Sequence, residues 1–207
     1  FCWVKRKIVG GFLSALRGGR AGAPCACGWG GFCPIWRVSA RAGFVVETGR
    51  PVSYSGQGFS LKGDKERFVL PALFRKAVRE SSQNCNTLCL AKHDRWPCLI
   101  GFGLSRKAAL EAQLDREEAL AAQAGRDFDR DLRGFQLFDF TETGFDDSGR
   151  FVIPQHLRTL GEVAGALYLQ GAGPFFTLWS PPVLLAQEGA QWASAQAACA
   201  SLMELGK

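Results

Sequence analysis

Residues 64–75 read Asp-Lys-Glu-Arg-Phe-Val-Leu-Pro-Ala-Leu-Phe-Arg, and residues 147–158 read Asp-Ser-Gly-Arg-Phe-Val-Ile-Pro-Gln-His-Leu-Arg. At an offset of 83 and without a gap, six of the twelve positions are identical: Asp64/Asp147, Arg67/Arg150, Phe68/Phe151, Val69/Val152, Pro71/Pro154 and Arg75/Arg158. Leu70/Ile153 and Phe74/Leu157 exchange like for like. A unit written only twice is not a solenoid, which needs three or more stacked units. It predicts two half-domains that close one core between them.

Both copies share a local grammar. A polar turn (Gly63-Asp64-Lys65-Glu66 or Asp146-Asp147-Ser148-Gly149) leads into a short strand, Arg67 to Leu70 or Arg150 to Ile153. Proline then ends the strand, because it cannot donate to a ladder and its fixed φ suits a first helical turn. Helices are expected over Ala72 to Glu80 and Gln155 to about Leu160. A second strand pair follows: Thr87 to Ala91 with Pro97 to Phe102, matched by Ala166 to Gln170 with Phe175 to Trp179. Leu88, Leu90 and Leu99 each lie 79 residues before Leu167, Leu169 and Leu178.

The connecting segments read as helices. Ser105 is the expected N-cap of one in which Leu104, Ala108, Leu110, Leu114 and Ala121 recur at helical spacing. A second, about Asp127 to Phe138, is expected to bury Phe128, Leu132 and Phe135. The tail from about Pro182 to Leu205 reads as one amphipathic helix with Trp192, Ala195, Cys199 and Leu202 on its apolar face.

The formal net charge of +6 suggests a polyanionic partner, but its distribution qualifies that. Residues 1–50 hold eight basic residues and one acid, so residues 51–207 carry 17 basic and 18 acidic side chains. A nucleic-acid argument must therefore rest on a local patch. Residues 1–53 are glycine- and arginine-rich and hold no sustained period; they read as an unstructured extension, or as translated sequence upstream of the true start. Cys89 and Cys199 read as small buried hydrophobes of a reduced protein. Cys85, Cys89, His93 and Cys98 lack the tight two-residue knuckle of a zinc site, so no metal or other cofactor is expected.

With these residues in view, the chain resembles the MraZ family of bacterial regulators, within the AbrB-like swapped-hairpin superfamily. The family carries two copies of Asp-x-x-x-Arg followed by apolar–x–apolar–Pro. Asp146 and Arg150 with Phe151-Val152-Ile153-Pro154 fit in full. In the first copy Gly63 stands four before Arg67, and the acid falls one later at Asp64. His93-Asp94-Arg95 is similar to the family's Asp-Arg step, which Gly173-Pro174 lacks. The resemblance covers about Tyr54 to Leu205. It implies an α+β fold in which two tandem repeats, 54–133 and 134–207, close one swapped-hairpin β-barrel with flanking helices. It also implies a cytoplasmic, nucleoid-associated ring oligomer that binds double-stranded DNA at tandem short promoter repeats. Binding there represses the division and cell-wall gene cluster; no membrane is involved.

The residues add a local assignment. Lys62, Lys65 and Arg67 cluster at one turn, and Arg75, Lys76 and Arg79 follow on the next helix. An exposed turn tipped with Arg and Lys can reach phosphates and guanine edges. Lys62, Lys65, Arg67, Arg75 and Lys76 are thus the expected DNA contacts of the first copy. In the second, Asp146 and Arg150 read as a structural pair that pins its turn, leaving that copy to face neighbouring subunits or the barrel. Two other readings compete: a ring-forming scaffold, and an AbrB-type antitoxin, against which two copies and a helical tail argue. Enzyme chemistry has no anchor here: Glu117/Glu118 and Asp129/Asp131 sit on solvated helix faces, and neither His93 nor His156 has a nucleophile in a suggestive motif. Because the repeats lie beyond residue 53, a chain beginning at Ser53 is expected to fold cooperatively and retain DNA binding, as measured by urea denaturation and gel shift; its failure to fold would overturn the reading of residues 1–53.

Overall fold

The strand Gln57–Leu61 (β1) does not pair within its own repeat; it runs antiparallel to Ala166–Gly171 of the second. This exchange organises the computed structural model, which describes residues 52–205. The expectation for residues 1–53 thus lies outside the described residues except at its last two positions. After β1 come Arg67–Val69 (β2), the helix Ala72–Ser81 (α1), and the hairpin Thr87–Lys92 (β3) with Leu99–Phe102 (β4). Helices Lys107–Gln123 (α2) and Arg130–Phe138 (α3) link the repeats. The second repeat is Phe140–Gly144 (β5), Arg150–Val152 (β6), Gln155–Leu160 (α4), Ala166–Gly171 (β7) and Phe176–Trp179 (β8). Helices Pro181–Leu185 (α5) and Ala193–Leu205 (α6) close the chain.

Six strands form one antiparallel sheet in the order β1-β7-β8-β4-β3-β5, and β2 pairs with β6 as a separate ribbon. The order is palindromic by repeat. Gln57 pairs with Gln170 and the equivalent Phe140 pairs with Ala91, so β1 and β5 are exchanged in the same register. Phe68 pairs with Phe151 and Leu99 with Leu178, each with its own repeat-mate. A pseudo-two-fold axis therefore passes through both pairs. The α+β class and the two tandem repeats are as the resemblance implies; among the described residues the main sheet is not closed into a barrel but has edges at β1 and β5, with the three-residue strands β2 and β6 paired to each other.

The principal core draws on both repeats. Phe68, Leu70, Phe74, Leu88, Leu90 and Leu99 pack in one cluster with Phe151, Ile153, Leu167, Leu169, Phe176 and Leu178. The strands of β3 and β7 are near-continuously buried, as expected of strands covered on both sides. Tyr54 ties in the N-terminal side: its hydroxyl accepts from the Gly103 amide at 2.8 Å and its backbone bridges Gly173. A second cluster gathers Cys98, Tyr168, Trp179, Leu184, Ala195 and Cys199 under α5 and α6. Cys89 and Cys199 are buried as expected, and burial pushes the Cys98 thiol up to about 12. Cys85 is exposed, away from that buried class.

Three local expectations are corrected. Ser105 does not cap α2; its hydroxyl lies 2.6 Å from that of Ser81, inside a 3-10 turn that delays the helix to Lys107. α3 starts at Arg130, capped by Asp129 Oδ1 accepting from the Leu132 amide at 2.9 Å, and it buries none of its side chains. Leu132 and Phe135 are 55 % and 75 % exposed, because α3 meets α2 through its arginines: Arg130 on Asp115 and Glu118, Arg133 on Glu117. The tail is two helices, broken where Gly189 takes φ +111°; Gln196 Nε2 then donates to the Leu184 and Gln187 carbonyls that end α5.

Phe68 is fully buried and its ring lies 6.3 Å from that of Phe151, across the pseudo-axis. Phe68→Ala and Phe151→Ala should each destabilise by about 3–5 kcal/mol, read from urea midpoints. Because the two side chains share one packed cluster, the double variant should cost less than the sum.

Candidate nucleic-acid interface

The β2–β6 ribbon has two faces. Phe68 and Phe151 point inward; Arg67, Val69, Arg150 and Val152 are exposed on the outer face. Arg67 stands opposite Val152 and Val69 opposite Arg150, so the two arginines occupy diagonal positions. Diagonal side chains in an antiparallel pair begin roughly 7–8 Å apart. The two guanidinium groups thus share a face the width of two strands, a size the DNA major groove admits.

The turns that feed this ribbon are equivalent in backbone and unequal in side chains. Gly63 N–H donates to the Arg67 carbonyl at 2.8 Å, and Asp146 N–H donates to that of Arg150 at 3.1 Å. In the second copy Asp146 also accepts from the Arg150 amide at 2.9 Å and from its Nε at 2.7 Å. Those bonds, the amide first and the guanidinium next, hold the Asp146 carboxyl below its ordinary range. The pair is therefore complete above the ordinary aspartate pKa and is lost only as pH falls through the lowered one. Gly63 offers no carboxylate, and Arg67 has no ion-pair partner among the described residues.

The first turn also carries strain. Lys65 and Glu66 both take left-handed backbone, at φ 56° and 58°, where non-glycine residues are uncommon. At the Glu66 position the second copy has Gly149, at φ +84°, and a Cβ there would lie 2.8 Å from the Leu70 carbonyl oxygen. What holds the strained turn is the other repeat: Arg158, from α4, pairs with Glu66. Reciprocally, Arg75 of α1 donates to the Asp147 carbonyl at 3.2 Å and Arg79 to its carboxylate at 2.9 Å. Each helix thus clamps the opposite turn.

This geometry divides the residues expected at the interface. Lys65 and Arg67 line one groove with Asp64, Val69 and Arg150. Lys62 lines a different one, beside Glu66, Arg158 and Glu162. Arg75 is half-buried against the second turn, while Lys76 is exposed next to it on α1. Arg150, read from sequence as purely structural, stands on the same ribbon face as Arg67. Only the inter-repeat strand pairing brings it there; the identity of Arg67-Phe68-Val69 and Arg150-Phe151-Val152 was the available signal.

Among the described residues no helix is long and apolar enough to cross a membrane. No protein-family model matches the chain. Curated relatives do. A protein of Methylococcus capsulatus named "Transcriptional regulator MraZ" is 30 % identical over 116 residues, which are 56 % of this chain and 71 % of that protein. Proteins of the same name are 26 % identical over 118 residues in Gluconobacter oxydans, spanning 56 % of this chain and 69 % of that one, and 27 % identical over 129 residues in Parvibaculum lavamentivorans, spanning 62 % and 76 %. With that identity and coverage, and the doubled Arg-Phe-Val strand at the centre of its fold, the chain belongs to the MraZ family of transcriptional regulators.

Proposed function

We propose that this regulator is a sequence-specific DNA-binding repressor of the division and cell-wall gene cluster, reading tandem promoter repeats with the outer face of its β2–β6 ribbon. The observation that carries this is the unpaired Arg67 at the edge of a strained turn, diagonal to Arg150. Arg67 is free to make a bidentate contact to guanine O6 and N7, the commonest specific contact in the major groove. Arg150, held by Asp146, keeps a fixed direction and suits a positioning contact. Lys65 and Lys62 lie on the approach to the duplex, and Lys76 extends the basic edge. Arg75 supports the reader by pinning the second turn.

A single small patch on a chain whose residues 51–207 are nearly neutral binds weakly. A ring presenting several identical ribbons to repeated sites gains affinity through effective concentration. The exposed apolar side chains of Leu120, Leu132, Phe135 and Phe138 on α2 and α3 support such assembly. They also favour a second reading, a ring-forming scaffold with little specific readout, and the same experiment separates the two.

The full chain should bind the fragment upstream of its own gene more tightly than a scrambled fragment across a salt series. Arg67→Ala should weaken specific binding by about tenfold or more, and Arg150→Ala by less. Weak binding to both fragments that vanishes with modest salt would shift the assignment to the scaffold; equal losses in the two variants would overturn the division of roles.

Gly63 has ordinary extended backbone (φ −92°), and a Cβ there meets nothing closer than 3.6 Å. Gly63→Asp should therefore recreate the second copy's pair on Arg67. It is expected to lower DNA affinity severalfold while leaving the thermal midpoint within a degree or two, a split that scanning calorimetry and gel shift would check.

A further inference from the structure

A cavity of about 170 Å³ opens between the β3–β4 hairpin and the helices α2 and α3. Its most unusual wall is Arg106. The guanidinium lies 5.0 Å from the ring centre of Phe175 and 5.5 Å from that of Phe102. Its Nε is buried without a hydrogen-bond partner, and its one side-chain bond among the described residues is a long 3.4 Å contact to Gln113 Oε1. Among the described residues no carboxylate forms an ion pair with it. Asp94, which also lines the cavity, is taken by Arg133 at 2.9 Å. Among the described residues the other cations at the wall, Lys92 and Arg95, have no ion pair either, and Lys92 Nζ donates to the His93 and Trp96 carbonyls. The rest of the wall is apolar at Ala91, Ile100, Leu110 and Leu137 and polar at His93 and Gln136.

The fold does not require this arrangement. At the 79-residue offset, Arg106 corresponds to Leu185, Phe102 to Pro181, and Asp94-Arg95 to Gly173-Pro174. The second repeat builds the same hairpin without any of these groups. Arg106 is half-buried, its Nε is shut off from water without a partner, and the nearest acid at the wall, Asp94, is already paired to Arg133; a desolvated guanidinium edge left unbonded is costly unless a ligand satisfies it. A cavity of roughly 150 Å³ is known to accept a single benzene ring.

We infer that this cavity is a binding site for a small monocarboxylate with a single-ring-sized apolar body, the carboxylate paired to Arg106 and the body against Phe102, Phe175 and Leu137. The site is separate from the β2–β6 ribbon and does not depend on the DNA-binding assignment.

Benzoate is the probe, with benzamide as its neutral isostere, titrated calorimetrically into the full chain. Saturable benzoate binding with Kd of about 1 mM or tighter is expected, with benzamide at least about tenfold weaker. Arg106→Gln should lose benzoate binding by about tenfold or more while unfolding at the same temperature. Leu137→Trp, which fills the cavity and keeps Arg106, should also abolish binding and decides the matter if Arg106→Gln does not fold. No saturation by about 10 mM benzoate, equal binding of benzamide, or undiminished binding by a folded variant would overturn the inference.

Discussion

The contact on which the rest depends is the meeting of Phe68 and Phe151 across the pseudo-two-fold axis. Each three-residue strand is too short to form a sheet with its own repeat, and a lone hairpin is at best marginal in water. Crossed against each other, the two strands bury both rings and fix where each turn emerges. The exchange of β1 and β5 follows from the same geometry, since each precedes its crossing strand and must lie against the far repeat. One core then serves both halves.

Symmetry of the backbone leaves chemistry free to diverge. The helices α1 and α4 each clamp the opposite turn through an arginine, so neither turn needs its own partner to stay in place. The second turn still holds Asp146 against Arg150 and uses Gly149 at its left-handed position. The first has neither, carries strain at Lys65 and Glu66, and leaves Arg67 uncommitted. Strained backbone persists only where its surroundings over-determine it, and Arg158 supplies that restraint.

The helices between the repeats follow a different logic. Exposed ion pairs contribute little individually, yet α3 turns its arginines toward α2 and Asp94 and its aromatics toward solvent. Arg133 joins two acids with its own side chain only 19 % exposed, which strengthens that contact over the others. The result is an apolar strip suited to a neighbouring surface and, on the inner side, the cavity at Arg106.

Sequence alone determined the repetition and most of the elements: the doubled Arg-Phe-Val-apolar-Pro phrase, the helices after each proline, and the paired hairpins fall within one or two residues of where they are found, whereas the exchanged strands β1 and β5 were not read from it. Alternation and proline chemistry are local, so they are legible in the chain. The burial of Cys89 and Cys199 was legible for the same reason. Which strand pairs with which, the openness of the sheet, and the face shared by Arg67 and Arg150 were decided only by tertiary structure, because register between segments 83 residues apart is set by shared burial and not by any nearby residue. The outward turn of Leu132 and Phe135 belongs there too: periodicity shows that a helix has an apolar face, but the ion pairs of Arg130 and Arg133 chose the side that meets α2.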